Sequence, residues 1–543
     1  MTGSGGSGGA GGYAGPGGSG GPGGSVSERP RSFCLIGEGV LPAECGQELL
    51  ARGHRITTVV TRHPPTRQWA ESCGIDVRER LEHPTSERPD YLLSIVNPDL
   101  ATATDLRFPR HAAVNFHSSP LPRYAGTHQT YWAIVNGERE YGVTWHLMTE
   151  HIDGGEILVQ HRFALDQEET SLSLDMKCQE HGLASFRVLL DQLERDTLTP
   201  LPQDLGTRSY HNRRRRIPHA GIIDWSASAS AIERLCRASA RGAMENPFGT
   251  PKILVDERLY VLDACRVTLA TAPREGTDHA VPGLVSSIGE AGAVIATGDG
   301  DLIVSGLKRL SGERVNPVDW AKECGLGPGS RLEPVDEALL TLADELSRRH
   351  CVNEEFWVEQ LARCRPSWMP ADDHDAGGAE PHSLALRVPI SVAVPGEQVA
   401  ATLLARWLRH AVATTGVSQS IWWSPEELRN ELGPLSAAYS TALPITLDAS
   451  PAPQALSNSD IDALMADATA HGTFPLDLPT RYPSWHLARP APRTEIRVGP
   501  GSEPSPGELI LAVSRDGHGL QVHCHGAELC FAAAQLATAL LAS

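Results

Sequence analysis

Short apolar runs alternate with amphipathic stretches over the first part of the chain. Residues 33–36 form an apolar run that ends in Gly37 and Gly39, a helical pattern then extends to Leu50, and residues 56–60 form a second apolar run. Runs of this length, bounded by glycine, predict buried strands. A strand–helix–strand order makes the two strands parallel through a right-handed crossover. The pattern therefore predicts a β-α-β unit at the start of the fold.

Further apolar runs continue this order at residues 91–96, 112–115 and 142–147. Alternating strands and helices are typical of an open, mostly parallel sheet. The predicted fold class is α/β, with a Rossmann-like domain at residues 29–208. Gly37-x-Gly39 also suggests dinucleotide binding, but Pro42 stands where the third glycine belongs and no acidic residue follows the second strand. An NAD-binding domain is therefore disfavoured.

The pattern changes after residue 220. An amphipathic helix is predicted at residues 226–240. Short apolar runs separated by Gly, Asp and Pro follow it at residues 252–255, 259–262 and 293–295. Short strands at this spacing indicate a small β-barrel, which we place at residues 209–325.

The remainder of the chain is predicted to contain two further parts. Residues 326–381 indicate a helical linker, with helices at 338–346 and 356–361 before an Asp/Gly-rich stretch. Residues 382–543 mix helices and strands, which indicates an α+β domain. The predicted strands and helices of that domain are at residues 384–394, 399–412, 509–513 and 532–541.

Composition narrows the class of protein. The first 25 residues include fourteen glycines and no apolar core, so residues 1–28 are expected to be a disordered tail and not a secretory signal. No run approaches the roughly 20 apolar residues of a membrane helix, and the default location is cytoplasmic. The last lysine is Lys322, and residues 330–543 hold 14 Arg against 26 Asp plus Glu. This shift indicates a domain boundary near residue 330.

The net charge of −19 disfavours a protein whose main task is to grip nucleic acid. Four consecutive arginines at residues 213–216 are a local exception, and they fit either an RNA contact or a solvated linker. The eleven cysteines form no C-x-x-C pair. A strand would place His523 and His525 on one face, but a second ligand pair at metal-site spacing is missing. No metal site is expected.

The candidate chemistry is concentrated in residues 115–126, Asn-Phe-His-Ser-Ser-Pro-Leu-Pro-Arg-Tyr-Ala-Gly, at the carboxyl end of a predicted strand. Open α/β sheets bind ligands at that edge. Residues two apart on a strand share a face, so Asn115 and His117 can converge on one substrate atom. Asp153 follows His117 by 36 residues and precedes two glycines, where the backbone can approach a flat ligand closely.

Together these motifs resemble the folate-dependent formyltransferases. The family pattern is Asn-x-His, a proline-containing loop that ends in Gly, and an Asp in an Asp-x-Gly-Asp/Glu-Ile segment. The matching positions are Asn115, His117, Pro122, Gly126, Asp153, Gly155, Glu156 and Ile157. The resemblance implies an enzyme that uses 10-formyltetrahydrofolate as co-substrate and no metal.

The resemblance also implies a role for each residue. A neutral amine would attack the formyl carbon, and Asn115 with protonated His117 would stabilise the oxyanion. Asp153 would orient His117 and help relay the proton from the amine to the departing folate nitrogen. By position, the family places the folate against Ser94, Ile95, Val96, Asn97, Ser119, Pro120, Leu121, Pro122, Thr149, Glu150, His151 and Ile152.

Two later stretches extend the resemblance. The stretch that begins Ile223-Asp224-Trp225 resembles the C-terminal domain of formyltransferases that act on methionyl-tRNA, so the family resemblance covers residues 30–325. Residues 353–543 resemble the C-terminal half of a non-ribosomal peptide synthetase condensation domain. The His-His-x-x-x-Asp-Gly motif of the other half is missing. This segment is expected to dock a carrier protein or synthetase, or to be a stabilising appendage.

The predicted function is formyl transfer from 10-formyltetrahydrofolate to the amino group of an amino acid or a carrier-bound aminoacyl substrate in specialised metabolism. Three alternatives stay open: formylation of methionyl-tRNA, hydrolysis of the formyl-folate by water, and a non-catalytic role in a synthetase assembly. The expected partners are a small amine or aminoacyl carrier protein and a peptide synthetase, in preference to tRNA or a membrane.

Overall fold

The computed structural model describes residues 30–83, 88–268, 281–365, 381–387, 395–415, 417–448, 458–485, 487, 494–501, 508–525 and 527–542. The predicted N-terminal tail, the Asp/Gly-rich stretch and the later part of the strand predicted at 384–394 lie outside these residues. Within them, no helix is long and apolar enough to cross a membrane. The chain divides into two compact units, residues 1–117, 144–161 and 181–203, and residues 118–143, 162–180 and 204–543.

The first sheet has seven strands: β1 (Ser32–Ile36), β2 (Arg55–Val60), β3 (Asp76–Arg78), β4 (Tyr91–Ile95), β5 (Ala112–His117), β7 (Glu140–Leu147) and β8 (Ile157–Ala164). Their order is β3-β2-β1-β4-β5-β7-β8. The pairs from β3 to β5 are parallel, and β5 pairs with β7 antiparallel. The predicted parallel-rich α/β sheet, including the opening β-α-β unit, is confirmed.

Five helices occur between or after these strands along the chain: α1 (Leu41–Ala51), α2 (Pro64–Ser72), α3 (Ala103–Arg107), α4 (Gln129–Val135) and α5 (Ser171–Glu194). Two short strands, β6 (Ala125–Gly126) and β9 (Tyr210–His211), pair with each other in parallel. The glycine after β1 has a steric explanation, because a Cβ atom at Gly37 would collide with the carbonyl group of Ile95 at the end of β4.

The second sheet is antiparallel and contains β10 (Lys252–Val255), β11 (Arg258–Val267), β12 (Val285–Gly289), β13 (Gly292–Ala296), β14 (Asp301–Arg309) and β15 (Arg314–Val315). Its order is β10-β11-β14-β13-β12, with β15 beside β14. Two helices belong to it, α6 (Ala229–Ser239) and α7 (Pro317–Glu323). The end strands β10 and β12 do not pair in the described residues, so closure into a barrel stays a prediction.

The third sheet contains both parallel and antiparallel strand pairs, and with its helices it matches the α+β pattern predicted for this segment. It contains β16 (Pro381–Arg387), β17 (Gln419–Ser424), β18 (Leu443–Leu447), β19 (Thr494–Val498), β20 (Leu509–Val513) and β21 (Gly519–His525). Their order is β16-β21-β20-β19-β17-β18. The helices before and around this sheet are α8 (Glu337–His350), α9 (Glu354–Arg363), α10 (Gly396–Thr415), α11 (Glu426–Leu432), α12 (Asn458–His471), α13 (Leu478–Arg481) and α14 (Ala527–Ala542).

The two helices predicted as a linker share a core with the third sheet. Leu346 of α8 and Trp357 of α9 belong to the same buried cluster as Leu403 of α10. Ile222 and Leu259, which lie beside and within the second sheet, belong to it as well. Residues 337–363 are therefore part of the apolar core of this unit.

Candidate active site

Strand β5 delivers Asn115 and His117 to one face of the first sheet. Asn115 lies opposite Ser94 of β4 and opposite His146 of β7 in the strand register. The strand is central, so the His117 side chain is only 5% exposed. Two polar side chains two residues apart thus lie at the carboxyl end of β5, as their spacing predicts.

Asp153 is delivered by the turn between β7 and β8. Its backbone is left-handed, with φ of 51°, a conformation in which Asp is less costly than most residues. A Cβ atom at Gly155 would collide with the Leu147 carbonyl group. The Gln203 side-chain amide donates hydrogen bonds to the carbonyl groups of Asp153 (2.8 Å) and Gly155 (2.6 Å). Glycine and Gln203 together hold the turn that presents the carboxylate.

The Asp153 carboxylate lies between two histidines. Its Oδ1 atom is 3.6 Å from Nδ1 of His117 and 3.6 Å from Nε2 of His146. The Asp153 side chain is 10% exposed and the two imidazoles are 5% and 3% exposed. In surroundings this dry, charge interactions are stronger than in water. The structure thus brings together all three residues of the predicted triad and adds His146.

The hydrogen bonds of His146 fix the orientation of Asn115. His146 Nδ1 lies 2.9 Å from the Leu147 carbonyl oxygen, which can only accept, so this nitrogen carries the proton. In the neutral ring Nε2 then accepts a hydrogen bond, and the Asn115 amide nitrogen lies 3.2 Å away. One N–H of that amide is committed to His146. Its second N–H is available for an oxyanion.

The predicted folate contacts of β4 and of the β7–β8 turn lie in the same compact unit as the triad. Ser94 and Ile95 are buried at the end of β4, whereas Val96 is 43% exposed and has a φ of 54°. The Asn97 amide group bonds to the backbone of Asp99. In the second segment Glu150 and Ile152 are exposed, and Thr149 Oγ1 bonds to the backbone of His151. Their contact with folate stays a prediction.

The other predicted contacts, Ser119, Pro120, Leu121 and Pro122, belong to the second compact unit. Ser119 is fully buried, and its hydroxyl donates to the carbonyl groups of Arg123 (3.0 Å) and Tyr124 (3.1 Å). The peptide bond before Pro122 is cis. The Ser119 hydroxyl therefore closes the loop on itself, and its assignment to folate also stays a prediction.

Metal ligation has no candidate group in the described part of the chain, where no three His, Cys, Asp or Glu side chains are placed to hold an ion. His523 and His525 lie on β21, as the strand interpretation requires.

Two residues of the site were not predicted. His146 is a polar residue in the apolar strand β7, two residues after Thr144 and on the same face, and this alternation was a usable signal. Gln203 has no such signal, because it is 50 residues from Asp153 and lies outside any helix or strand.

Two stretches of the chain match family models of known proteins. Residues 57–187 match the family model described as "Formyl transferase", and residues 216–325 match "Formyl transferase, C-terminal domain". Methionyl-tRNA formyltransferase of Citrifermentans bemidjiense is 28% identical over 311 residues, which are 54% of this chain and 93% of that protein. The family matches include all three triad residues.

Two solved structures are also similar. A variant of HypX from Aquifex aeolicus aligns with a TM-score of 0.38 and 18% identity, over 57% of this chain and 52% of that one. An N-formyltransferase from Helicobacter canadensis, in complex with folinic acid and dTDP-3-aminofucose, aligns with a TM-score of 0.40 and 18% identity, over 50% of this chain and 98% of that one.

The two family matches support the formyltransferase family for the N-terminal part of the chain. They indicate a formyltransferase. The predicted formyltransferase class is thereby confirmed, and its folate co-substrate stays a prediction.

Proposed function

We propose that the protein transfers the formyl group of 10-formyltetrahydrofolate to the amino group of an amino acid or of an aminoacyl group on a carrier protein. The observation that carries this proposal is the convergence of Asn115, His117 and Asp153 at the carboxyl edge of the first sheet, with Asp153 Oδ1 3.6 Å from His117. Formyl transfer to an amine needs an oxyanion donor and a group that accepts the amine proton, and this cluster contains both.

Asn115, His117 and Asp153 have different roles in the proposed transfer. The N–H of Asn115 that His146 leaves unused donates to the oxyanion that forms when the amine attacks the formyl carbon. Protonated His117 provides the second donor, and each such donor contributes roughly 3–4 kcal/mol to the transition state. The Asp153 carboxylate stabilises the imidazolium of His117 and accepts the amine proton on its way to the leaving folate nitrogen.

The acceptor class is supported by charge. The net charge is −19, and two arginines of the run at 213–216, Arg213 and Arg216, lie beside glutamates of the C-terminal segment. The resemblance of residues 353–543 to half of a condensation domain supports a carrier-bound acceptor, with this segment as the docking element. A second candidate, methionyl-tRNA, is favoured by the 28% identity with methionyl-tRNA formyltransferase over 311 residues.

A mass-spectrometric assay tests the proposal. The protein is incubated with 10-formyltetrahydrofolate and a panel of free amino acids, aminoacyl carrier proteins and methionyl-tRNA. A gain of one formyl mass on an amino acid or carrier supports the proposal, and a gain on the tRNA alone replaces it with the second candidate. Formate release without a modified acceptor indicates a hydrolase. Folate binding without any of these products overturns the proposed reaction for this panel.

The near-isosteric variant Asp153→Asn and the variant His117→Ala are the controls for the site. Each is expected to lower kcat by about 10²-fold or more, since each removes a proton-transfer or oxyanion group. Thermal unfolding of Asp153→Asn should stay close to wild type. A loss of activity that only parallels a loss of folded protein would assign these residues a structural role.

A further inference from the structure

The arginine run at residues 213–216 is engaged by the C-terminal segment of the same unit. Arg213 forms an ion pair with Glu355 of α9. The Arg216 guanidinium lies 3.9 Å from Glu354 and donates a hydrogen bond to the Cys351 carbonyl group. The two ends of the run, Arg213 and Arg216, therefore contact the start of α9, whereas Arg214 and Arg215 are exposed.

Two further cations of this unit, Lys252 and Arg481, also pair with carboxylates from distant parts of the chain. Lys252, at the start of β10, lies 2.8 Å from Asp477, and both side chains are buried. Arg481 of α13 binds Glu354 and lies 3.5 Å from Asp477. Each carboxylate that meets a cation of residues 209–325 here comes from residues 354–477, far along the chain.

These ion pairs hinder the binding of a polyanion such as a nucleic acid at this surface. Binding of a nucleic acid requires Lys and Arg side chains that can exchange solvent counterions for phosphates. At this surface, phosphates would first have to displace carboxylates that are tethered to the same chain and therefore present at a high effective concentration. Lys252 is inaccessible, and Arg213, although 69% exposed, already has its carboxylate partner.

We propose that the acidic start of α9 shields this cationic surface, so that the enzyme rejects acceptors carried on a polyanion and retains small or carrier-bound amines. The inference rests on the proposed function, because it concerns which acceptors that reaction admits. Glu355 is the specificity-determining residue that can be tested without disturbing the buried pairs, since its side chain is 77% exposed.

The experiment measures binding of labelled tRNA at low salt by fluorescence anisotropy, with the full chain and three variants. Glu355→Lys removes the shielding charge and adds a cation. Glu333→Lys makes the same change in net charge at an exposed position on the loop before α8. The charge-swapped double variant Arg213→Glu with Glu355→Lys restores an ion pair. Formylation of the small amine is measured in parallel on all four proteins.

Glu355→Lys is expected to bind tRNA at least about fivefold more tightly than wild type, with a steeper salt dependence, whereas Glu333→Lys and the double variant stay near wild type. Equal gains for Glu355→Lys and Glu333→Lys, or tight binding by the wild type itself, would overturn the shield. The binding readout needs no turnover. Failure of small-amine formylation would therefore count against the proposed function alone.

Discussion

At the residue scale, the site depends on the polar contacts among His146, Asn115 and Asp153. His146 donates through Nδ1 to the Leu147 carbonyl oxygen and so presents an accepting Nε2 to Asn115. The Asp153 carboxylate is 3.6 Å from both imidazoles. Because both imidazoles are almost completely buried and Asn115 is half-buried, an Asn115 amide that lost its partner would rotate or stay unsatisfied. His146 is therefore a positioning residue for Asn115.

Replacing His146 tests this role. His146→Leu should lower kcat by about tenfold, the value of one lost hydrogen bond, because Asn115 no longer holds its second N–H in place. The KM for the folate should change little. His146→Gln retains an acceptor near the Asn115 amide and should recover part of the rate. Steady-state kinetics for both substrates check this, and an effect confined to KM would contradict the positioning role.

At the scale of elements, the turn between β7 and β8 determines the position of Asp153. Its left-handed Asp153 is followed by two glycines that meet different surroundings. A Cβ atom at Gly154 would lie 3.1 Å from the Cβ atom of His151, a tight contact, whereas one at Gly155 would overlap the backbone carbonyl group of Leu147. The turn can adopt its course only if the second position has no side chain.

This difference provides a matched pair of variants. Gly155→Ala forces backbone movement and should cost about 1–3 kcal/mol of the free energy of unfolding, together with kcat, since Asp153 is displaced. Gly154→Ala should cost less on both measures because its added Cβ atom would be 3.1 Å from the Cβ atom of His151 and would not overlap a carbonyl oxygen. Thermal melts and kcat of the two variants, measured side by side, check the prediction. Equal effects would show that the Leu147 carbonyl group does not set the turn.

At the scale of the whole molecule, a buried ionic seam ties residues 209–325 to the C-terminal segment within one compact unit. Thr250 donates to Asp477 at 2.7 Å and Lys252 lies 2.8 Å from the same oxygen. Burial opposes ionisation of Asp477, but the charges of Lys252 and Arg481 outweigh it and hold the pKa of this carboxyl well below its usual range. Tyr482 completes the seam by donating to Glu354.

The seam predicts a pH-dependent difference in stability. At neutral pH, Asp477→Asn should lower the free energy of unfolding by about 3–5 kcal/mol, because it leaves buried cations uncompensated. A carboxyl with a depressed folded pKa stabilises above its unfolded value near 4 and loses that contribution as pH falls further. The difference between wild type and variant should therefore shrink below about pH 4. Urea unfolding from pH 7 to pH 3 checks this; a constant difference would exclude ionised Asp477 as its source.

The sequence by itself determined the features that depend on local order. The apolar runs predicted β1, β2, β4, β5 and β7 because a strand's burial is encoded in neighbouring side chains. The spacing of Asn115 and His117 predicted their shared face because side chains two residues apart on a strand point to the same side. The Asp-Gly-Gly segment of the family motif identified Asp153, and the family matches confirm the class of enzyme.

The tertiary structure alone decided which distant residues meet. Gln203 reaches a turn 50 residues earlier, and Arg481 pairs with a glutamate 127 residues earlier. The helices predicted as a linker joined the C-terminal core because their apolar faces, Trp357 among them, are covered by a sheet formed much later in the chain. Neither hydrophobic period nor motif spacing encodes such a partner. A buried charge or amide is satisfied by whichever group the fold places within hydrogen-bonding distance, and only the assembled structure fixes that choice.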